Sequence, residues 1–399
     1  MRRLRTDLPY TFRPPQGRGW FRPLGLWANE RVFLRRKYRL EGISEAGMEQ
    51  VEALVKKGDA VLLAPNHADH SDPHLMIEMG RRHALPLHFM AAREVFEGSP
   101  AAAWALQSMG VFSVDRDGPD LSAIKTAIGL LEAGTPLVIY PEGEIYHHHE
   151  RLDPLMEGVA SILLKAAGRL KDGRRAWLVP VGICFQHRPE VEATFGERLS
   201  KLEDRIGWTP RPAMAVDDRI IRLGTGVLAL KETEFLGEAG QGGIQSRLEV
   251  LCERLLSATE EKHGRDPRAT TAPERVRALR YRIRRRLLDA ENPASTTERV
   301  TLLDDLDAVF TALQSHSYIG DYLLSHPSLD RRAETLMKLE EDLFGFPTYP
   351  TPRDATVTAA DPIPVSDFLE NGTLPSKGGA APLTAMLEEK LTALLPVPE

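Results

Sequence analysis

The stretch "AVLLAPNHADHSDPHLMIEMG", Ala60 to Gly80, changes its period partway along. Its first six residues are an apolar run of strand length. From Ser71 it reads as a helix, with Asp72 suited to the N-cap and Pro73 to the first helical position. The turn between them is crowded with His67, Asp69, His70, Asp72 and His74. A strand feeding a helix through a charged turn is the repeating unit of an α/β sheet. In such sheets ligands meet the loops at the strand ends.

Outward from this unit the same texture repeats. "LHFMAA" (87–92), "VFSVD" (111–115), "PLVIYP" (136–141) and "AWLVPVGICF" (176–185) are further strand-length apolar runs. Helix-length segments lie between them, at 100–109, 121–133 and 155–167. Leu121, Ile124, Ile128 and Leu131 recur at helical spacing. The expected fold is α/β, a mostly parallel or mixed sheet flanked by helices, with a helical insertion. The insertion follows from a change after Leu199. Charged segments with helical apolar spacing then dominate, including the arginine-rich "RVRALRYRIRRRLLDA" (275–290), whose basic face is expected to be solvated. Near the C-terminus, Ala355, Val357 and Ala359 alternate with polar residues as in a strand, and "APLTAMLEEKLTALL" is an amphipathic helix. The predicted division is a basic arm over 1–38, a core over 39–198, a helical insertion over 199–345, and a returning strand and closing helix over 346–399.

At 399 residues, 42% hydrophobic and 27% charged, the composition is that of a globular protein with a large core. Two cysteines, Cys184 and Cys252, are too few for a disulfide framework. No apolar run is long enough to span a bilayer, and no signal-peptide pattern follows the basic start. The net charge of −6 conceals a basic beginning: through Leu40 there are eleven Lys/Arg and only Asp7 and Glu30 as acids. "GWFRPLGLW" places Trp20, Phe21, Leu24, Leu26 and Trp27 among those bases. Either the arm meets an anionic membrane surface or it packs its aromatics on its own domain. The expected location is cytoplasmic, peripheral on the inner face of the cell membrane, with no nucleic-acid partner.

The crowded turn admits three readings. As a metal site it would use His67, His70 and His74, but it lacks a helical His-Glu-x-x-His pattern, so no metal is expected. As plain structure, Asp72 caps and His67 fills the turn. As chemistry, a tight loop brings Asp72 to one imidazole nitrogen of His67 and leaves the other to act as a base. That is a base and its orienter without the serine of a triad, so the substrate would supply the hydroxyl.

Three further segments join the turn in a recognisable order. Asn-His-x4-Asp is "NHADHSD"; a Gly, apolar strand and Arg is "GVFSVDR" (110–116); an apolar strand into Pro-Glu-Gly is "VIYPEGE"; a short strand with Pro is "VPVGI" (179–183). The chain thereby resembles the glycerolipid acyltransferases, the family of bacterial 1-acylglycerol-3-phosphate acyltransferase. The resemblance implies phospholipid-biosynthetic acyl transfer from acyl-CoA or acyl-carrier protein to a hydroxyl of a lysophospholipid or glycerolipid acceptor held in a membrane. His67 would be general base and Asp72 its orienter, with no cofactor. Asn66, Arg116, Pro141, Glu142, Gly143 and Arg151 would bind substrate, Arg116 through an anionic group of the acceptor. The third block departs from the common pattern, since Glu144 and Ile145 stand where many members carry a hydroxyl residue and an arginine. A carboxylate there repels a phosphate, so either Arg151 substitutes or the acceptor lacks a bare phosphomonoester. The other readings are a transacylase and a catalytically silent membrane-binding scaffold. His147 to His149 are expected in an exposed polar loop.

Overall fold

The computed structural model describes residues 8–375 and 377–396. Arg2, Arg3, Arg5 and Asp7 of the basic arm lie outside the described residues. Packing divides the chain into two units.

The first unit takes in Thr11–Asp115, Asp120–Arg188 and the chain from Tyr349 onward. It opens with α1 (Arg22–Ala28), which continues as a π-helix, Asn29–Lys37. Then follow β1 (Leu40–Ala46), α2 (Met48–Lys56), β2 (Ala60–Pro65), α3 (Asp72–Arg82), β3 (His88–Ala92), α4 (Pro100–Ser108), β4 (Val111–Val114), α5 (Leu121–Glu132), β5 (Leu137–Val138), α6 (Gly158–Ala167) and β6 (Ala176–His187). The chain returns later as β7 (Arg353–Ala359) and β8 (Ile363–Pro364), and two helices, Val365–Glu370 and Ala380–Thr392, follow. The strands form one mixed sheet in the order β1-β7-β6-β2-β5-β3-β4, with β8 beside β6.

Strand β2 is buried along its whole length because both of its faces are covered. Val61 and Leu63 pack with Met76, Val181 and Val357 on one side. Ala60, Leu62 and Ala64 pack with Ile128, Leu163 and Leu387 on the other. All neighbouring strands run parallel except where β7 and β8 meet β6. The register matters for the site. Pro65 at the end of β2 is level with Val181, but β6 runs on to His187, and Arg353 of β7 stands opposite His187. The first residue of β7 therefore lies beyond the end of β2, alongside the turn that follows it.

From Thr11 onward the arm is part of this unit. Ser113 of the edge strand β4 donates its N–H to the Arg13 carbonyl at 3.0 Å and accepts from the Arg13 N–H through its hydroxyl at 2.8 Å. Phe12 meets Phe112 edge-on. The sheet edge is thus covered rather than left open.

The second unit contains Pro189–Thr348, the short loop Arg116–Pro119 and, of the arm, the described residues up to Tyr10. Its helices are α7 (Glu192–Arg205), α8 (Val216–Leu236), α9 (Ile244–His263), α10 (Ala272–Leu287), α11 (Thr296–Ser317), α12 (Tyr322–Ser325) and α13 (Leu329–Phe344), and among the described residues it has no strand. Two expectations need correction here. A boundary at 198/199 would cut through α7, whose buried Phe195, Leu199 and Leu202 belong to one apolar stripe. The arginine-rich helix is only in part a solvated basic face: Arg277 and Arg285 are exposed, but Arg275, Arg280 and Arg284 are buried. Arg275 pairs with Glu260 and Glu253, while Arg280 and Arg284 grip Asp117 at 3.0 and 2.8 Å. Buried guanidinium groups persist only when partnered, and these partners come from other segments of the unit.

Candidate active site

The turn after β2 is held from two sides. The Asn66 side chain accepts from the Ile183 N–H at 2.7 Å and donates to the Ile183 carbonyl at 3.0 Å, which ties the turn to β6. On the other side, the Ile139 N–H donates to the Leu63 carbonyl at 3.1 Å, so the chain leaving β5 runs beside β2. That brings Glu142 to the His67 backbone N–H, which it accepts at 2.6 Å, and to the Asp153 N–H at 3.1 Å. Gly143 follows with φ +77°, and a Cβ there would press on Met156. A left-handed residue at this bend requires glycine.

Within the turn, His67 Nδ1 lies 2.9 Å from Asp72 Oδ2. Asp72 is not the N-cap that the sequence suggests. Helix α3 begins at Asp72 with Ser71 in the cap position, and no side chain caps it. The Asp72 carboxylate instead turns back to accept from the Asp69 N–H at 2.9 Å and to face the imidazole. Its side chain is fully buried, whereas that of His67 is 14% exposed, so the ring reaches the surface and its partner does not. Tyr140 stacks on His67 with centroids 4.1 Å apart.

Two further expectations can be settled on this geometry. His74 is a packing histidine: it meets Asn29 Oδ1 through Nδ1 at 2.6 Å and stacks on Phe33 at 4.5 Å. Burial, with Lys37 nearby, lowers its pKa to about 3, so it stays neutral. His147 to His149 are all buried, not exposed. Their loop folds inward, with His148 facing Asp153 at 2.9 Å and the Arg151 carbonyl at 3.1 Å.

Residues 43–184 match the family model described as Acyltransferase. These residues are an acyltransferase domain. No curated protein matches the chain. The matched stretch begins inside β1 and ends inside β6, so the acyltransferase domain as matched leaves out β7 and the helices α7 to α13.

Of the residues singled out in the sequence, His67, Asp72 and Glu142 come together in the acyltransferase domain, with Pro141 and Gly143 shaping the loop. The Asn66 amide is occupied by the backbone of β6. Arg151 is exposed, and Arg116 is a partly buried residue of the loop grouped with the helical unit. Three contributors carry no role that the sequence alone assigns. Tyr140 had a signal, as the residue before Pro-Glu-Gly. Asp69 had a weak one, inside the turn itself. Arg353, which reaches Asp69, had none.

Electrostatics separate the carboxylates of the site. Burial and the neighbouring Asp69 push Asp72 well above the ordinary carboxylate range, against the pull of the Asp69 and Ala68 N–H groups and Arg353. A more basic carboxylate is a stronger acceptor for the imidazole N–H. For Asp69, burial also opposes ionisation, but the charge and hydrogen bonds of Arg353 outweigh it and hold Asp69 below its usual value. Burial raises Glu142 to about 7, despite two backbone N–H donors.

The Glu142 shift has a measurable consequence. A carboxyl whose pKa is higher in the folded state stabilises the fold below its unfolded value, and that stabilisation is lost as pH rises through the folded value. Between the ordinary value of 4.5 and about 7, Glu142 should therefore cost the wild type on the order of 3 kcal/mol. Glu142→Gln is expected to remove this dependence. Urea unfolding at pH 5 and pH 8 should show the stability gap between variant and wild type moving in the variant's favour as pH rises. An unchanged gap would contradict the assignment.

Proposed function

We propose that this chain transfers a fatty acyl group from a thioester, acyl-CoA or acyl-carrier protein, to a hydroxyl of a lysophospholipid or glycerolipid acceptor. The observation that carries the reading is the 2.9 Å contact between His67 Nδ1 and the buried Asp72, at a strand end inside an acyltransferase domain. Asp72 holds the Nδ1 proton and balances the charge that the ring gains. The other nitrogen, Nε2, takes the proton of the acceptor hydroxyl as its oxygen attacks the thioester carbonyl. The tetrahedral intermediate collapses, the C–S bond breaks, and the imidazolium returns the proton to the departing thiolate. Ester and free thiol are the products, and no acyl-enzyme forms. The test is a transfer assay with labelled acyl-CoA and a panel of lysolipids. Glu144 beside the Pro-Glu-Gly bend favours, within this reading, an acceptor without a bare phosphomonoester.

An acceptor that lives in a bilayer requires the protein to meet a surface, and the first unit carries a suitable one. Trp20 is 72% exposed, Trp27 57% and Leu24 56%, on a segment that also bears Arg18, Arg22 and Arg31. Trp104 of α4 adds to the patch, with its ring 5.9 Å from that of Trp20 and Arg18 over its face at 5.1 Å. Aromatic rings at the headgroup level and bases against anionic lipid are each favourable, the bases by about 1 kcal/mol apiece. The triple variant Trp20→Glu, Leu24→Glu, Trp27→Glu is expected to lose at least about tenfold in sedimentation with phosphatidylserine-containing vesicles. Wild-type binding by that variant would remove this surface from the account.

A further inference from the structure

Arg353 is the first residue of β7, outside the matched acyltransferase stretch, and is 2% exposed. Its guanidinium lies between the rings of Phe185 and Tyr349, 4.4 and 4.6 Å from their centroids. Nε donates to the Tyr38 carbonyl at 3.2 Å, and Nη1 and Nη2 donate to the two carboxylate oxygens of Asp69 at 3.3 and 2.8 Å. Nη2 also reaches the Ser71 hydroxyl at 2.9 Å. Asp69 in turn accepts from the Ser71 N–H at 2.8 Å and from the Tyr349 hydroxyl at 3.2 Å, while its own N–H donates to Asp72. The path from Arg353 to His67 therefore runs through two carboxylates of one turn.

We propose that Arg353 is a positioning residue for acyl transfer, fixing Asp69 and through it the Asp72 carboxylate and the His67 ring. The inference rests on the roles proposed for His67 and Asp72. Its physical basis is twofold. A planar fork buried between two rings and bonded to both oxygens of a carboxylate leaves that carboxylate one orientation. A buried ion pair is moreover a poor source of stability compared with apolar residues of the same volume, and its distinctive contribution here is a fixed turn geometry.

The pair also governs charge at the site. The ionisable groups around Asp69 and Asp72 include His67, His74, Lys37, Tyr38, Tyr140, His147, Tyr349 and Arg353. Of these, Arg353 is the cation bonded to Asp69. Without it, no cation bonded to the turn offsets the two buried carboxylates, and the Asp69–Asp72 pair as a whole holds its protons up to higher pH. The acid limb of the pH–rate profile then moves to higher pH.

The experiment compares wild type with Arg353→Met, Arg353→Lys, Asp69→Asn and the double variant Arg353→Met/Asp69→Asn, with His67→Ala as control. Turnover, KM and pH profile are measured, together with the ¹⁵N signals of the His67 ring. Arg353→Met should lower kcat by about 10²-fold with KM nearly unchanged, as a displaced catalytic group does. Its acid limb should move up, and the ring should lose its preference for the proton on Nδ1. Arg353→Lys should restore the acid limb but not kcat, because the charge returns without the fork. Should Arg353→Met fail to fold, the double variant carries the test, since it leaves no unpaired charge; its kcat should stay low. Wild-type kcat, pH profile and His67 signals in either variant, with His67→Ala inactive, would overturn the positioning role alone. An active His67→Ala would instead overturn the catalytic reading beneath it.

Discussion

His67→Ala is expected to lower acyl transfer by about 10²- to 10⁴-fold, the usual cost of losing a general base. The fold should survive. The ring is partly exposed at the end of β2, and its removal takes nothing from the two apolar layers that cover the strand. Asp72 keeps the N–H groups of Asp69 and Ala68 as donors, so its carboxylate is not stranded. The stability cost is therefore that of one hydrogen bond and one ring contact, about 1–2 kcal/mol. Thermal melting and a transfer assay on the same purified sample separate the two effects. A variant that melts like the wild type and turns over like it would remove His67 from the chemistry.

Asp69→Ala should have the largest effect on stability, about 3–5 kcal/mol, because it leaves the Arg353 guanidinium buried without its counter-charge. The loss should depend on pH in a defined direction. Asp69 titrates below its unfolded value, so the stability it contributes is complete above about pH 4 and is lost as pH falls toward the folded value. The gap between wild type and variant should thus be widest near neutrality and close in acid. Urea unfolding at pH 7 and at pH 3 checks this. A gap that widens in acid would mean that Asp69 is not held ionised by Arg353.

The fold was readable where burial is two-sided. "AVLLAP" and "VPVGICF" are continuous apolar runs because helices cover both faces of β2 and β6. Strand β1 leaves no strand signal in the sequence. It lies at the sheet edge, only Leu40 in it is buried, and "LEGISEA" carries no apolar run. The alternation of Ala355, Val357 and Ala359 falls within β7, which is inserted between β1 and β6. The contact between His67 and Asp72 was legible because five residues and a tight turn hold it. Arg353 was not, since nothing local distinguishes one arginine at a strand start from another. Its meaning comes from register, the antiparallel β7 carrying it beyond the end of β2. The histidine run misled for a related reason: polar residues in a loop read as solvated, yet His148 folds inward to a carboxylate and a carbonyl.

Purified protein incubated with acyl-CoA and a lysolipid panel, followed by mass spectrometry of both lipid and protein, tests the central claim most directly. The account predicts an acylated lysolipid formed in step with free thiol, abolished by His67→Ala, with the protein mass unchanged throughout turnover. Thiol release with no acylated acceptor, or an acyl group found on the chain itself, would contradict direct transfer to a substrate hydroxyl.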